Sequence, residues 1–489
     1  MALKALVVSL AALPFAKGET VLGVYIFHRH GDRTPKSLAP VNLTALGADE
    51  AFQSGGYYRS RYIAADASSP ILGLSHDIAV STQLNVISPP DSVLQTSAIA
   101  FLQGAYPPVG VIGIQELANS SSVQYPLGGY QYIPVEAVAT ASSNPNSENN
   151  EWLQGGSGCG NAMVSSNNYF QSAAYARTLE ETRAFYGGLL PVIGGVFSPA
   201  QANFKNGYTI FDYINVATVH NVSIPGAELL TDATMRRLKL LADEHEWNLA
   251  YNETEPIRAV AGSTLAAQVV AQLSNTLASG GRTPLSVQFG AYASFMSFFG
   301  LAGLGRLSDD FTGIVGYASS MAFELVTNAS GVGTGGSYPA PEDVAVRFLL
   351  ANGSAAEAPP REFPLFGTGR SPLPWPDFAA EMAKFAIGDT AAWCAACGNT
   401  TGLCADEAIT GGSGSGSHGD AAAAPETSTN AVSLPVAGVI GALVALVVVL
   451  GLEAFVYAVA GLRLVRKSTL ASLGAAGAAS AGAAADKKV

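Results

Sequence analysis

Near the start of the chain, Arg29-His30-Gly31-Asp32-Arg33 sets an imidazole between two cations that never lose their charge. A phosphoryl group carries up to two negative charges, so a site that attacks it must first neutralise them. Planar guanidinium forks match its oxygens. A histidine of ordinary pKa, about 6.5, can be neutral and nucleophilic beside such a group at mildly acidic pH. Gly31 allows close backbone approach and Pro35 stiffens the exit. The motif therefore reads as a phosphoryl site, with His30 as catalytic nucleophile and Arg29 and Arg33 as phosphate ligands. An exposed arginine-rich turn would not explain the apolar strand that leads into it. A metal site built on His28, His30 and Asp32 would set a dication against two guanidinium groups. No metal and no cofactor are expected.

Such a motif needs a strand to deliver it. The run "VLGVYIF" before it is continuous and apolar, the pattern of a buried strand, and loops after the carboxyl ends of such strands are where open α/β sheets bind ligands. Downstream, Leu265, Val269, Leu273 and Leu277 recur four apart between Ser263 or Thr264 and the stop at Gly280-Gly281, which predicts an amphipathic helix. "LSVQFGAYA" after it predicts another strand. Thr231 or Asp232 would cap a helix carrying Met235, Leu238 and Leu241, with His245 exposed among charges. This order predicts an α/β core with a parallel sheet, occupying about 19–110 and 256–405, interrupted by a more helical cap at about 111–255.

With Thr34 and Pro35, the motif resembles the R-H-G-x-R-x-P signature of the histidine acid phosphatases, the larger-enzyme branch (branch 2) of the phosphoglycerate mutase-like superfamily. "GGYYRSRYI" looks like that family's first core helix, "SAIAFLQGAYPP" like the helix before its insertion, and "ASSMAFELV" and "VRFLLANG" like its late strands. The likeness spans most of 20–405. It implies a doubly wound parallel sheet with a mostly helical cap, phosphomonoester hydrolysis through a phosphohistidine, and no metal. It also implies His30 as nucleophile with Arg29 and Arg33 as clamps.

Two departures stand against the match. Where the family carries a third phosphate-binding arginine, this chain has Val93, and Ile87 replaces another arginine. The later strand should end in a His-Asp pair that touches phosphate and protonates the leaving oxygen; alignment by the glycines puts Ala291 and Tyr292 there. Losing a positioned general acid costs about 10²- to 10⁴-fold in rate. Tyr292, Asp309, Asp310 and Asp91 are conceivable substitutes, whereas His76-Asp77 reads as a surface turn and His220 as an exposed loop. The expected function is an acid phosphatase-like hydrolase of weak activity. The alternative is a non-catalytic pseudophosphatase that binds phosphate or phosphorylated ligands at the cell surface.

The ends of the chain predict where it works. Residues 1–18, with Lys4 before an apolar run and small residues at Ala16 and Gly18, read as a signal peptide. Residues 434–462 are apolar with one charge, Glu453, and Arg463, Arg466 and Lys467 follow, which predicts one transmembrane helix with a cytoplasmic tail, 463–489. A Gly/Ser/Ala/Thr-rich stretch, 406–433, reads as a flexible stalk. The expectation is a single-pass type I, fungal-type membrane-anchored protein, its ectodomain (19–405) extracellular or lumenal, at the plasma membrane, with the lipid bilayer as partner through 434–462.

Seven N-x-S/T sequons, at Asn42, Asn119, Asn221, Asn252, Asn328, Asn352 and Asn399, predict glycosylation of the ectodomain. Four cysteines, Cys159, Cys394, Cys397 and Cys404, suit two disulfides in any of three pairings. The chain has 25 basic and 37 acidic residues. Without the two lysines of 1–18, the five basic residues of the tail, Glu453 and Asp486, the ectodomain keeps 18 against 35, a net charge near −17. That surface excludes nucleic acid as a partner. The expected ligand is a phosphorylated small molecule or inorganic phosphate, held by a local cationic cluster.

Overall fold

The computed structural model describes residues 19–137, 158–333 and 338–405; the expected signal, stalk, membrane span and tail lie outside them. Among the described residues no helix is long and apolar enough to cross a membrane.

Strand β1, Thr20–Arg29, is buried along nearly its whole length, as its continuous apolar run predicts for a central strand. Val24 and Ile26 point into one core with Val86, Leu94, Ala98 and Phe101, while Tyr25 and Phe27 point into the other with Leu265, Val269, Phe295 and Phe298. Val21 shares a side with Val24, three residues on, which strict alternation forbids. The register shift between Val21 and Gly23 absorbs the extra residue and keeps both faces apolar.

The chain continues through helix α1 (Ala45–Tyr58), strand β2 (Leu84–Ser88), helix α2 (Ser92–Ala105) and the two-residue strand β3 (Glu136–Ala137). β3 falls in the range expected for the cap, yet it pairs with β2 at the sheet edge. Short helices from Gly160 onward, then α3 (Gly207–His220) and α4 (Asp232–Ala250), form a helical layer with its own core around Tyr186, Ile193, Phe204, Ile210 and Leu238. Thr231 accepts from the Thr234 N–H and caps α4 as expected.

Helix α5 (Val260–Ala278) follows, with Leu265, Val269 and Leu273 on its buried face, then β4 (Leu285–Gly290), α6 (Tyr292–Leu301), β5 (Ser320–Thr327), β6 (Val344–Ala351), β7 (Arg361–Phe363) and β8 (Leu373–Pro374). The sheet order is β8-β6-β5-β1-β4-β2-β3, with β7 beside β6.

The sheet is mixed, which corrects the expected doubly wound parallel one. β1, β4, β2 and β3 run parallel, but β5 is antiparallel to β1, and β6 to β5. The cause is the path of the chain: β5 begins opposite His28, at the same end of the sheet where β1 finishes, so it can only run back. Helices still cover both faces, α1 and α2 on one, α5 and α6 on the other.

Two devices fix α1. A Cβ on Gly55 would lie 2.0 Å from the Phe101 carbonyl oxygen, and one on Gly104 2.0 Å from that of Phe52, so α1 and α2 touch backbone to backbone. Past its C-terminal end, Arg61 and Tyr62 bond Glu324, a wholly buried carboxylate of β5 that also pairs with Arg347.

The cysteines pair as Cys159–Cys397 and Cys394–Cys404, which resolves the three possibilities; the first joins the root of the helical layer to the short helix Thr390–Cys397. Five sequon asparagines are exposed, and Asn252 and Asn399 are partly so.

Gly104→Ala is expected to force the two helices apart and cost about 1–3 kcal/mol or more. A lowered urea midpoint with unchanged m-value checks it, and an unshifted midpoint would show the crossing to be loose.

Candidate active site

β1 delivers the motif at its carboxyl end, as the sequence predicts. Arg29 lies opposite Gly290 of β4, so Ala291, the N-cap of α6, and Tyr292 stand next to the motif, where the resemblance put the missing pair. α2 begins beside it too: the Gly31 N–H donates to Ser97 Oγ (3.2 Å), which donates to the Val93 carbonyl (2.8 Å). Position 93 is therefore adjacent to the loop, but its isopropyl group brings no charge. Beneath, a Cβ on Gly31 would lie 2.0 Å from the Gly47 carbonyl oxygen, which only glycine permits.

His30 is 2% exposed. Its Nδ1 donates to the Gly31 carbonyl (2.8 Å), and that fixes the tautomer with the lone pair on Nε2. Burial, then the Arg29 and Arg33 charges, holds its pKa well below the usual histidine range, so the ring is neutral at mildly acidic pH. His28 faces the other way, between Phe101 and Phe289, with Nε2 on Ser54 Oγ (2.8 Å); burial lowers its pKa to about 4. The two imidazoles thus share no seat. Among the described residues no three of His, Cys, Asp and Glu converge as a cation site.

Both guanidinium groups are buried and already partnered. Arg29 lies 4.6 Å from the centre of the Tyr317 ring and 5.4 Å from that of Tyr292, and donates to the Val315 carbonyl. Arg33, 1% exposed, makes a two-pronged ion pair with Asp212 of α3 (2.8 and 3.2 Å) and donates to Tyr208 Oη (3.1 Å). Asp212 also accepts the Lys36 N–H at 2.8 Å. At the far end of α3, His220 Nε2 donates to Asp32 Oδ1 (2.6 Å), and Thr44 Oγ1 donates to the same oxygen. One helix of the cap is thereby fastened to the motif at Arg33 and at Asp32.

The remaining walls come from Val315–Ser319. The Ala318 N–H donates to the His30 carbonyl, and Ala318 sits at φ 53°, a left-handed conformation that costs a non-glycine residue on the order of 1 kcal/mol. A cavity of about 270 Å³ opens beside Arg29, lined by Tyr208, Asp212, Asn215, Tyr317 and Asn352 among others. A larger groove, about 550 Å³, lies under residues 109–133 and has no charged side chain in its wall.

The expected acid substitutes fare poorly. Tyr292 Oη donates to Glu246 Oε2 (2.6 Å), and burial with that carboxylate pushes its phenol well above its ordinary value. Asp310 pairs with Arg361 at the surface, and Asp91 caps α2. His76 and Asp77 are exposed, as expected of a turn. Glu50 of α1 accepts the Asp32 N–H (2.7 Å), and burial raises its pKa to about 7.

Two histidines correct the sequence reading. His220 is exposed, as expected, but it ends α3 instead of lying in a loop and is the partner of Asp32. His245 is 5% exposed rather than solvated, because α4 turns it toward Tyr169, Phe170 and Phe204.

The residues that sequence reasoning missed are Tyr208, Asp212 and Tyr317. Asp212 left a signal: it is the one acidic residue, with no lysine or arginine, in the fourteen of α3.

A likeness in fold extends to solved phytases. The phytase of Hafnia alvei superposes with a TM-score of 0.50 at 12% identity, over 78% of this chain and 98% of its own. That of Klebsiella sp. gives 0.51 at 10%, over 77% and 98%. No family model and no curated relative matches the sequence.

Since His28 takes up a proton in the unfolded chain below about 6.5 but in the folded one only near 4, the folded state binds fewer protons between these values, and stability falls as pH drops through them. Glu50 opposes this, favouring the folded state at the acid end of its own range, 4.5 to about 7. Relative to wild type, His28→Gln should weaken the acid loss, by up to about 2–3 kcal/mol at pH 4. Urea titrations at pH 7 and pH 4 measure it, and equal slopes in both proteins would refute the assignment.

Proposed function

We propose that the protein is a phosphomonoesterase of the histidine acid phosphatase type that phosphorylates His30 and turns over slowly. One observation carries this reading: a neutral imidazole with its lone pair on Nε2, held between two buried guanidinium groups at the end of the central strand. The likeness to phytase folds supports the same chemistry. In the reaction, Nε2 attacks phosphorus, the ester P–O bond breaks, and the leaving oxygen takes its proton from water. A second water then attacks the phosphohistidine, releases inorganic phosphate and restores the ring. Arg29 and Arg33 neutralise the equatorial oxygens in both steps.

Slow turnover follows from the surroundings. No carboxylic acid stands at the Ala291–Tyr292 position, and the Tyr292 hydroxyl is committed to Glu246. Esters whose leaving groups need no proton should therefore react best.

That committed hydroxyl also favours a second reading, a pseudophosphatase that binds phosphorylated ligands at the surface of the secretory pathway or cell. The two disulfides support an oxidising compartment. The membrane anchor and the seven glycans remain part of this proposal.

Full-length protein from a glycosylating host, mixed with an activated aryl phosphate at mildly acidic pH, should release a fast first equivalent of phenol and then slow steady turnover. His30→Ala should lose both phases. Because His30 stays neutral, the rate of the fast phase should not fall between pH 7 and pH 5 through loss of the nucleophile. Identical traces for the two proteins would remove hydrolysis, and phosphate binding without any phenol release would select the pseudophosphatase.

A further inference from the structure

The donors that a phosphoryl group would need already hold an oxyanion, and it belongs to the protein. Both terminal nitrogens of Arg33 meet the two oxygens of Asp212, and the backbone N–H of Lys36 completes the set. Asp212 is 3% exposed, and α3 reaches back to Asp32 through His220, so the carboxylate is seated by the cap and not by a mobile surface chain. We infer that Asp212 is an internal competitor for the oxyanion seat, and that it makes the site selective for dianionic phosphomonoesters over monoanions. This rests on Arg29, His30 and Arg33 forming an oxyanion site.

The selectivity follows from charge. A carboxylate offers Arg33 one negative charge spread over two oxygens. A monoanionic phosphodiester or a carboxylate ligand brings no more than Asp212 does, so exchanging them gains nothing and costs the contacts of a well-packed helix. A phosphomonoester dianion brings twice the charge on three oxygens and can bind Arg29 at the same time. For it alone the exchange is favourable. Once displaced, Asp212 leaves the Tyr317 hydroxyl and the Lys36 N–H to rearrange, which requires α3 to shift away from the loop.

Asp212→Asn keeps the shape and removes the competing charge. Isothermal titration with inorganic phosphate and with diethyl phosphate, on full-length wild type and variant, reads the effect directly. The variant should bind phosphate at least about tenfold more tightly, and diethyl phosphate, too weak to displace Asp212 in wild type, should gain by a similar factor and become bound. Equal affinities in the two proteins would overturn the inference while leaving the phosphoryl site intact. Binding of neither anion by either protein would sink the site itself, and the inference with it.

Should the variant, with Arg33 buried beside a neutral amide, not fold, hydrogen exchange on wild type gives an independent reading. Saturating tungstate should speed exchange of the amides of Gly207–His220. Unchanged or slower exchange there would contradict displacement of Asp212.

Discussion

Two guanidinium groups lie buried within four residues of each other, and everything around the end of β1 answers that one electrostatic demand. Neither charge can be left unpaired in such a setting without a cost of several kcal/mol. Arg29 is met by the Val315 carbonyl and the faces of two tyrosines, Arg33 by Asp212 and a third. Burial, and then the same fields that these partners soften, keeps His30 free of its proton. The resting environment of the cations is thus a carboxylate and a phenol from the cap and two ring faces from the core.

On the proposed reading, that environment is what lets an imidazole and two guanidinium groups stand at the loop with no further charged side chain at positions 93, 291 and 292. Val93 and Ala291 place small apolar side chains at positions that abut the loop, so neither brings a charge to it. Asp212 supplies from the helical layer the negative charge that pairs with Arg33.

Much of this was legible in the sequence, and what was not has a common cause. β1, β4 and α5 follow from runs and spacings that depend only on neighbours in the chain: Leu265, Val269 and Leu273 do face the core, and Ser286 and Gln288 do lie in a buried strand. The antiparallel half of the sheet was missed because strand direction depends on where the chain returns, not on the strand's own residues. Asp212 meets Arg33 across 179 positions, and His220 meets Asp32 across 188, separations at which no local pattern speaks. His245 was misjudged because its sequence neighbours are charged while its spatial neighbours are aromatic.

The anchoring of α1 has a mechanical corollary. Near its start Gly47 is wedged against the Asp32 backbone, midway it touches α2 without intervening side chains, and beyond its end Arg61 and Tyr62 are riveted to Glu324 in the sheet. A floor held at three points has no freedom to tilt, so compliance around the imidazole must come from the roof. Loosening the floor would sooner unravel the molecule than widen its doorway.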